Sequence, residues 1–168
     1  MAMRTTRWKP GKGKTWRDKL DAEHPNHGKI VRSPGKRPKS WGKRSVLIPR
    51  PRDVDALMRK VRKGKLVTAS MLRAKLAEQA GADMACPLTT GIFINIAANA
   101  AEEDRQAGRK RITPYWRTVK NGGKLNDKYP GGVKAQAARL REEGFVIISG
   151  KSNRPLRVTD YESKLARL

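Results

Sequence analysis

The chain of 168 residues has one cysteine, two histidines, four Trp, three Tyr and two Phe, so it holds few of the side chains that usually carry chemistry. The lone thiol, Cys86, excludes an intramolecular disulfide. One thiol and two imidazoles also fall short of the four thiolate or imidazole ligands of a structural zinc site. No apolar run approaches the ~18 residues of a membrane span. Met1 to Pro10 carries basic residues with no apolar stretch behind them, so a secretory signal is not expected and the expected location is cytoplasm or nucleoid. Acids are scarce as well: 15 Asp+Glu face 39 Lys+Arg, a net +24. Charge this one-sided repels itself, and its natural counter-charge is a polyanion such as DNA or RNA. Neither metal, cofactor nor membrane partner is expected, and the chain reads as a monomer.

The charge is shared between two unlike parts. Residues 1–52 hold 16 Lys/Arg, 3 acids, six Pro and five Gly, with almost no aliphatic clustering. Such a segment reads as an irregular basic tail that buries no core. Its tryptophans, Trp8, Trp16 and Trp41, lie among Lys and Arg and could either stack on bases or dock on the domain. A turn or two of helix from Thr15 to Ala22, capped by Thr15, is the one regular element expected there. His24 and His27 have no ligand set nearby and read as solvent-facing. The tail glycines, Gly11 and Gly13 among them, precede no strand–helix unit, so a nucleotide-phosphate loop is not expected.

From Asp53 onward apolar residues recur at helical spacing. Val54, Leu57, Met58 and Val61 fall at i, i+3, i+4 and i+7 behind Asp53 as candidate N-cap. A second helix is predicted from a Thr68 cap to Gly81. The third and most apolar runs from about Leu88 to Ala107, with Ile92, Ile96, Ala97 and Ala100 on one face and Gly108 as its stop. Asn121-Gly122-Gly123, between Arg117–Lys120 and Lys124-Leu125, carries a hairpin signature. A fourth helix is predicted from Gly132 to Glu143 with Ala135, Ala138 and Leu140 inward. Two strands follow, Phe145 to Ser149 and Leu156 to Val158, then a short helix over 160–165. The fold class this order predicts is mainly α with a small β wing, a winged helix-turn-helix over 53–148, preceded by the tail 1–52 and extended by a hairpin and short helix over 149–168. Glu102-Glu103 and Glu142-Glu143 read as solvated helix faces. Ser70 and Ser149 have no partner base, so a hydrolase triad has no support.

Pro114-Tyr115-Trp116-Arg117-Thr118-Val119, followed by Gly123-Lys124-Leu125, Gly131-Gly132-Val133-Lys134 and Leu140-Arg141-Glu142-Glu143-Gly144, resembles the DNA-binding domain of the O6-alkylguanine-DNA alkyltransferases. Val61 to Thr68 is similar to that family's lead into its helix-turn-helix, and the resemblance covers roughly Pro51 to Phe145. In that family a Pro-Cys-His-Arg core serves the extruded alkylguanine. Here Tyr115 stands in the place of the nucleophilic Cys and Trp116 in that of the activating His. A phenol with an ordinary pKa of about 10 is a poor soft nucleophile and an indole is no base, so a noncatalytic protein is expected. The family's intercalating arginine has no counterpart in Leu88-Thr89-Thr90-Gly91, and Ser70 stands near the position of its phosphate-rotating aromatic.

The chain resembles the related alkyltransferase-like proteins, which lack the Cys and bind alkylated DNA without repairing it. The resemblance implies a lesion pocket walled by Tyr115 and Trp116 with Arg117 holding the loop, and a repair protein as a further partner. Nucleic-acid contacts are then expected from Thr89, Thr90, Asn95 and Asn99 on the third helix and from Lys120, Asn121 and Lys124 on the wing. The tail would add Arg4, Arg7, Lys9, Lys12, Lys14, Lys36, Arg37, Lys43 and Arg44. A different class of reading makes the fold a scaffold for a ribosome- or structured-RNA-associated protein whose tail threads between RNA helices. A third makes Cys86, at the start of the third helix, a relocated nucleophile.

Overall fold

The computed structural model describes residues 9–32, 42–149 and 155–168. Arg4, Arg7, Trp8, Lys36, Arg37 and Trp41 lie outside the described residues. Five α-helices dominate: α1 (Trp16–Asp21), α2 (Pro51–Arg59), α3 (Ala69–Ala80), α4 (Pro87–Gln106) and α5 (Gly132–Glu142). Seven two-residue strands accompany them: β1 (Ile30–Val31), β2 (Val46–Leu47), β3 (Val67–Thr68), β4 (Met84–Ala85), β5 (Thr118–Val119), β6 (Ile147–Ile148) and β7 (Arg157–Val158). The fold class is therefore mainly α with small β elements, as its periodicities predict. Among the described residues no helix is long and apolar enough to cross a membrane.

The helix ends follow local chemistry. Thr15 caps α1 in a reciprocal capping box with Asp18. Thr68 Oγ1 accepts from Met71 N at 3.2 Å to open α3, and Gly81 at φ 69° closes it. α2 starts earlier than its sequence suggests. Pro51, not Asp53, sets the entry, because its fixed φ suits the first helical position, and Arg50 is the cap residue. On α5 the inward residues are Gln136, Ala137 and Leu140, while Ala138 is exposed and Ala135 half-buried. The inward turn of Gln136 is held by its hydrogen bonds with Asn126 N at 2.7 Å and Trp116 O at 3.1 Å.

The tail is not inert. Leu20, Val46 and Leu47 are 1%, 0% and 5% exposed and belong to the core, so the expectation that residues 1–52 bury nothing fails for the described part. β1 pairs antiparallel with β2, which pairs in parallel with β4, so the tail supplies two of three strands of that sheet. α1 and α2 both pack on α4. Glu103 fastens α1 through both oxygens, accepting from Trp16 N at 2.6 Å and Arg17 N at 3.1 Å. Trp16 packs against the same core, which is the docking outcome for that ring. A second cluster, with Leu66, Val119, Leu140 and Val158, joins the C-terminal segment to α5.

The expected wing differs. Lys120 N does donate to Lys124 O at 2.9 Å, but the flanking residues do not pair as two strands. β5 runs parallel to β3, and Lys124 bridges Arg157. Gly122 and Gly123, at φ 80° and 75°, make a 3-10 turn instead of a hairpin loop. β6 and β7 pair antiparallel, and Tyr161–Lys164 forms the short terminal helix as a 3-10 turn.

Candidate nucleic-acid interface

The segment expected to wall a lesion pocket forms a 3-10 turn, Tyr115–Arg117. Tyr115 is 2% exposed, its ring edge-on to Trp116 at 5.4 Å and to Tyr129 at 5.2 Å, and its hydroxyl donates to Glu102 Oε2 at 3.4 Å. Burial pushes the Tyr115 phenol above its ordinary value. Trp116 Nε1 donates to Glu143 Oε1 at 2.9 Å, and the Arg139 guanidinium lies 4.5 Å over the indole. Arg117 grips the same carboxylate through Nε at 3.0 Å and Nη2 at 2.7 Å, and its Nη1 reaches Val61 O at 2.7 Å. Burial pushes the Glu143 carboxyl up, but hydrogen bonds from Arg117, Trp116 and Gly64 N outweigh it and hold the group below the usual carboxylate range.

These three residues thus tie the turn to α2 and α5. Arg117 binds Val61 O and the Glu143 carboxylate, whereas Tyr115 is core and not pocket wall, because its ring is enclosed by Trp116 and Tyr129. Three acids read as solvated are structural: Glu143, whose side chain is 7% exposed, Glu102, 18% exposed and bound to Arg105 and Arg139, and Glu103, which holds α1.

The cleft lies one layer away. It encloses about 420 Å³ between the first turns of α4 and the chain from β5 to Tyr129. Leu88, Ile92, Val119 and Tyr129 form its walls, and exposed Lys120 and Lys128 belong to its lining. Tyr115 supports it from behind by packing on Tyr129. Asn95 and Asn126 add polar lining: Asn126 Nδ2 donates to Asn95 Oδ1 at 3.0 Å, and Asn126 Oδ1 accepts from Lys128 N at 3.0 Å. Gln136 behind them accepts from Asn126 N at 2.7 Å and donates to Trp116 O at 3.1 Å. Tyr129 donates its hydroxyl proton to Thr118 O at 2.8 Å. The volume and the apolar walls with a few fixed polar groups suit a small planar ligand.

Of the residues expected to touch nucleic acid, Asn95 and Lys120 meet at this cleft. Asn121 and Lys124 are exposed on the adjoining turn, where Asn121 Oδ1 accepts from Ser70 Oγ at 2.6 Å. Thr90 is corrected: it is fully buried, and its hydroxyl donates back to Cys86 O at 2.7 Å, the carbonyl that also accepts from Thr90 N at 3.1 Å. Thr89 is half-buried beside a second groove, and Asn99 donates back to Asn95 O at 2.8 Å, so neither presents its amide or hydroxyl along a free helix face. α4 is packed by α1 and α2, which leaves only its first turns to meet a ligand. Cys86 is 5% exposed and its N–H is held by Leu47 O at 2.9 Å, a closed environment for a nucleophile. Lys9, Lys12, Lys14, Lys43 and Arg44 are exposed. Sequence reading missed Leu88, Asn126, Lys128 and Tyr129. Leu88, 72% exposed at the start of the most apolar helix, is the one with a visible cue, a large aliphatic flanked by Pro87 and Thr89.

The arrangement is that of a strongly basic, mainly helical domain with an apolar, amide-lined cleft at a helix start. No protein-family model and no curated protein matches the chain. Among solved structures it is similar to S. pombe Atl1, determined in complex with damaged DNA containing O6-carboxymethylguanine, with 16% identity over 70% of this chain and 94% of that one and a TM-score of 0.48.

Proposed function

We propose that this chain is a noncatalytic DNA-binding protein that holds an alkylated guanine in the cleft at the start of α4. The observation that carries the reading is that cleft, about 420 Å³ with apolar walls and Lys120 and Lys128 in its lining, in a chain of net charge +24. Lysines on the turn 120–128 and the described tail would neutralise phosphates and supply most of the affinity. The cleft would take an unstacked base between Leu88 and Ile92 on one side and Val119 and Tyr129 on the other. Tyr115 cannot accept an alkyl group there, since it is buried behind Tyr129.

The test is binding across a salt series to plain duplex DNA, the same duplex with one O6-methylguanine, and a structured RNA of equal charge. The expected lesion preference is about 10-fold, or 1.4 kcal/mol. Gly91→Leu should abolish it. A Cβ at Gly91 meets nothing within 4 Å, so the leucine fills the cleft without disturbing the helix. Equal affinity for both duplexes, unchanged by Gly91→Leu, would refute the reading; a preference for RNA would favour the RNA-bound scaffold instead.

A further inference from the structure

The hydrogen-bond polarity of the cleft can be read from its amides. Lys128 N is an obligatory donor, so the atom of Asn126 that meets it at 3.0 Å must be the carbonyl oxygen Oδ1. Asn126 therefore turns its Nδ2 toward Asn95, which must answer with its own Oδ1, at 3.0 Å. This fixes Asn95 as well. Its oxygen is occupied, and among the described residues its Nδ2 has no hydrogen-bond partner. Asn95 is 8% exposed and lines the cleft, so what it offers a ligand is N–H donation. Ammonium groups in the lining, Lys120 and Lys128, are donors only. Thr118, 2% exposed, lines the same cleft, and its Oγ1 is buried without a hydrogen-bond partner.

We infer that Asn95 makes the cleft selective for a purine that presents a hydrogen-bond acceptor at position 6, as guanine and its O6-alkyl ethers do, over one that presents an amine there, as adenine does. A free asparagine can pair with adenine by donating to N7 and accepting from the N6 amine. Asn95 is poorly set for this, because Asn126 already fills one of its oxygen's two lone pairs while both its N–H bonds stay free. Toward O6 and N7, both acceptors, its two N–H bonds suffice. An amine at position 6 would bring donor against donor, and a site built to hydrogen-bond one group rejects an analogue that leaves its polar atoms unpaired. The inference rests on the proposed reading of the cleft as a base pocket.

The test uses the full chain and duplexes with one purine opposite an abasic site, where extrusion is cheap and needs no intercalating side chain. The two probes are O6-methylguanine and its one-atom relative 2-amino-N6-methyladenine, in which the ring-bound oxygen becomes N–H. The wild type should favour the oxygen probe by about 10-fold. In Asn95→Asp the carboxylate still accepts from Asn126 while turning an acceptor into the cleft, so the ratio should reverse. In Asn95→Leu it should fall to one. Added charge or altered folding affects both probes alike, so the ratio isolates recognition. A wild-type ratio near one overturns the inference without needing any variant, as does a ratio that Asn95→Asp leaves unchanged. If neither probe binds better than a fully paired, unmodified duplex, the base-pocket reading falls and the inference falls with it. If both bind better but equally, the pocket stands and the polarity argument alone is wrong.

Discussion

Removal of residues 1–50 should unfold the protein. A purely electrostatic tail would come away at almost no cost to stability, whereas this one places Leu20, Val46 and Leu47 in the core at 1%, 0% and 5% exposure. Burying an aliphatic side chain of that size contributes about 1.5–3 kcal/mol, so the three together contribute roughly 5–9 kcal/mol. That rivals the whole net stability of typical domains, roughly 5–15 kcal/mol. The deletion also strips β4 of its partner β2, leaves the Glu103 carboxylate without its two backbone donors and removes Arg17 from Asp104, which is 6% exposed. Urea unfolding by far-ultraviolet circular dichroism, run on the full chain, on a chain lacking residues 1–8 and on one lacking residues 1–50, measures the effect. The shorter deletion leaves every residue of the described core in place and serves as the control. The longer one should show no folded baseline. If it instead unfolds cooperatively within about 1 kcal/mol of the full chain, the tail is an appendage and the packing argument is wrong. Binding experiments on the tail should accordingly use substitutions at exposed lysines, because a truncation would report on folding.

Glu143→Gln should destabilise the fold by about 3 kcal/mol in urea unfolding, since it leaves the Arg117 cation, 14% exposed, without its counter-charge, and adding Arg117→Met should recover part of the loss. Because the folded Glu143 pKa is depressed, its contribution is fully present above the unfolded value of about 4.3 and is lost as pH falls through the lower folded value. Thermal unfolding below pH 4 should therefore drop more steeply in the wild type than in Glu143→Gln. Gly123→Ala should cost more than about 1 kcal/mol, because a Cβ there would sit 2.8 Å from Tyr161 Cδ1 at a backbone φ of +75°. Thermal melts of Gly123→Ala and Gly122→Ala compare that clash with a neighbouring left-handed glycine whose Cβ meets only the end of Lys124, at 3.9 Å.

The helices were legible in the sequence because their signals are local. Thr68 and Gly81 bound α3, the capping box at Thr15 opens α1, and the apolar run after Pro87 outlines α4. The three-stranded sheet was not legible. Two-residue strands show no alternation, and β2 joins β4 across an intervening stretch that includes α2 and α3. Short β elements of this kind are fixed by what packs on them. The candidate site divides along the same line. Pro114 to Arg117 is a recognisable motif, but whether its rings face a cavity depends on Tyr129 and Arg139, which the motif does not contain. Asn95 was visible as a polar residue on an apolar helix, while the pairing of its oxygen needed Asn126 and the Lys128 amide, far along the chain.

Among the described residues, several arginines and lysines differ in the carboxylates they bind. Arg17, Arg59, Arg105, Arg109, Arg117 and Arg139 all bind carboxylates, and several of those carboxylates are buried. Among the described residues the lysine pairs, Lys75 with Glu78 and Lys120 with Asp127, each have a partner carboxylate about seven-tenths exposed. A planar guanidinium suits fixed bidentate geometry, whereas an ammonium is a mobile point charge. Phosphates bound mainly by lysine yield affinity that depends steeply on salt and carries no sequence information. On the proposed reading specificity comes from the cleft, and the two contributions should separate experimentally. Charge removal at Lys124, exposed on the turn beside the cleft, should weaken binding to every duplex alike and reduce the salt slope by about 0.9 for each phosphate no longer neutralised. Gly91→Leu should do the opposite, lowering the preference between duplexes while leaving the slope unchanged. If Lys124→Gln altered the preference and Gly91→Leu altered the slope, the division between arginine-built scaffold, lysine-borne affinity and cleft-borne selectivity would not hold.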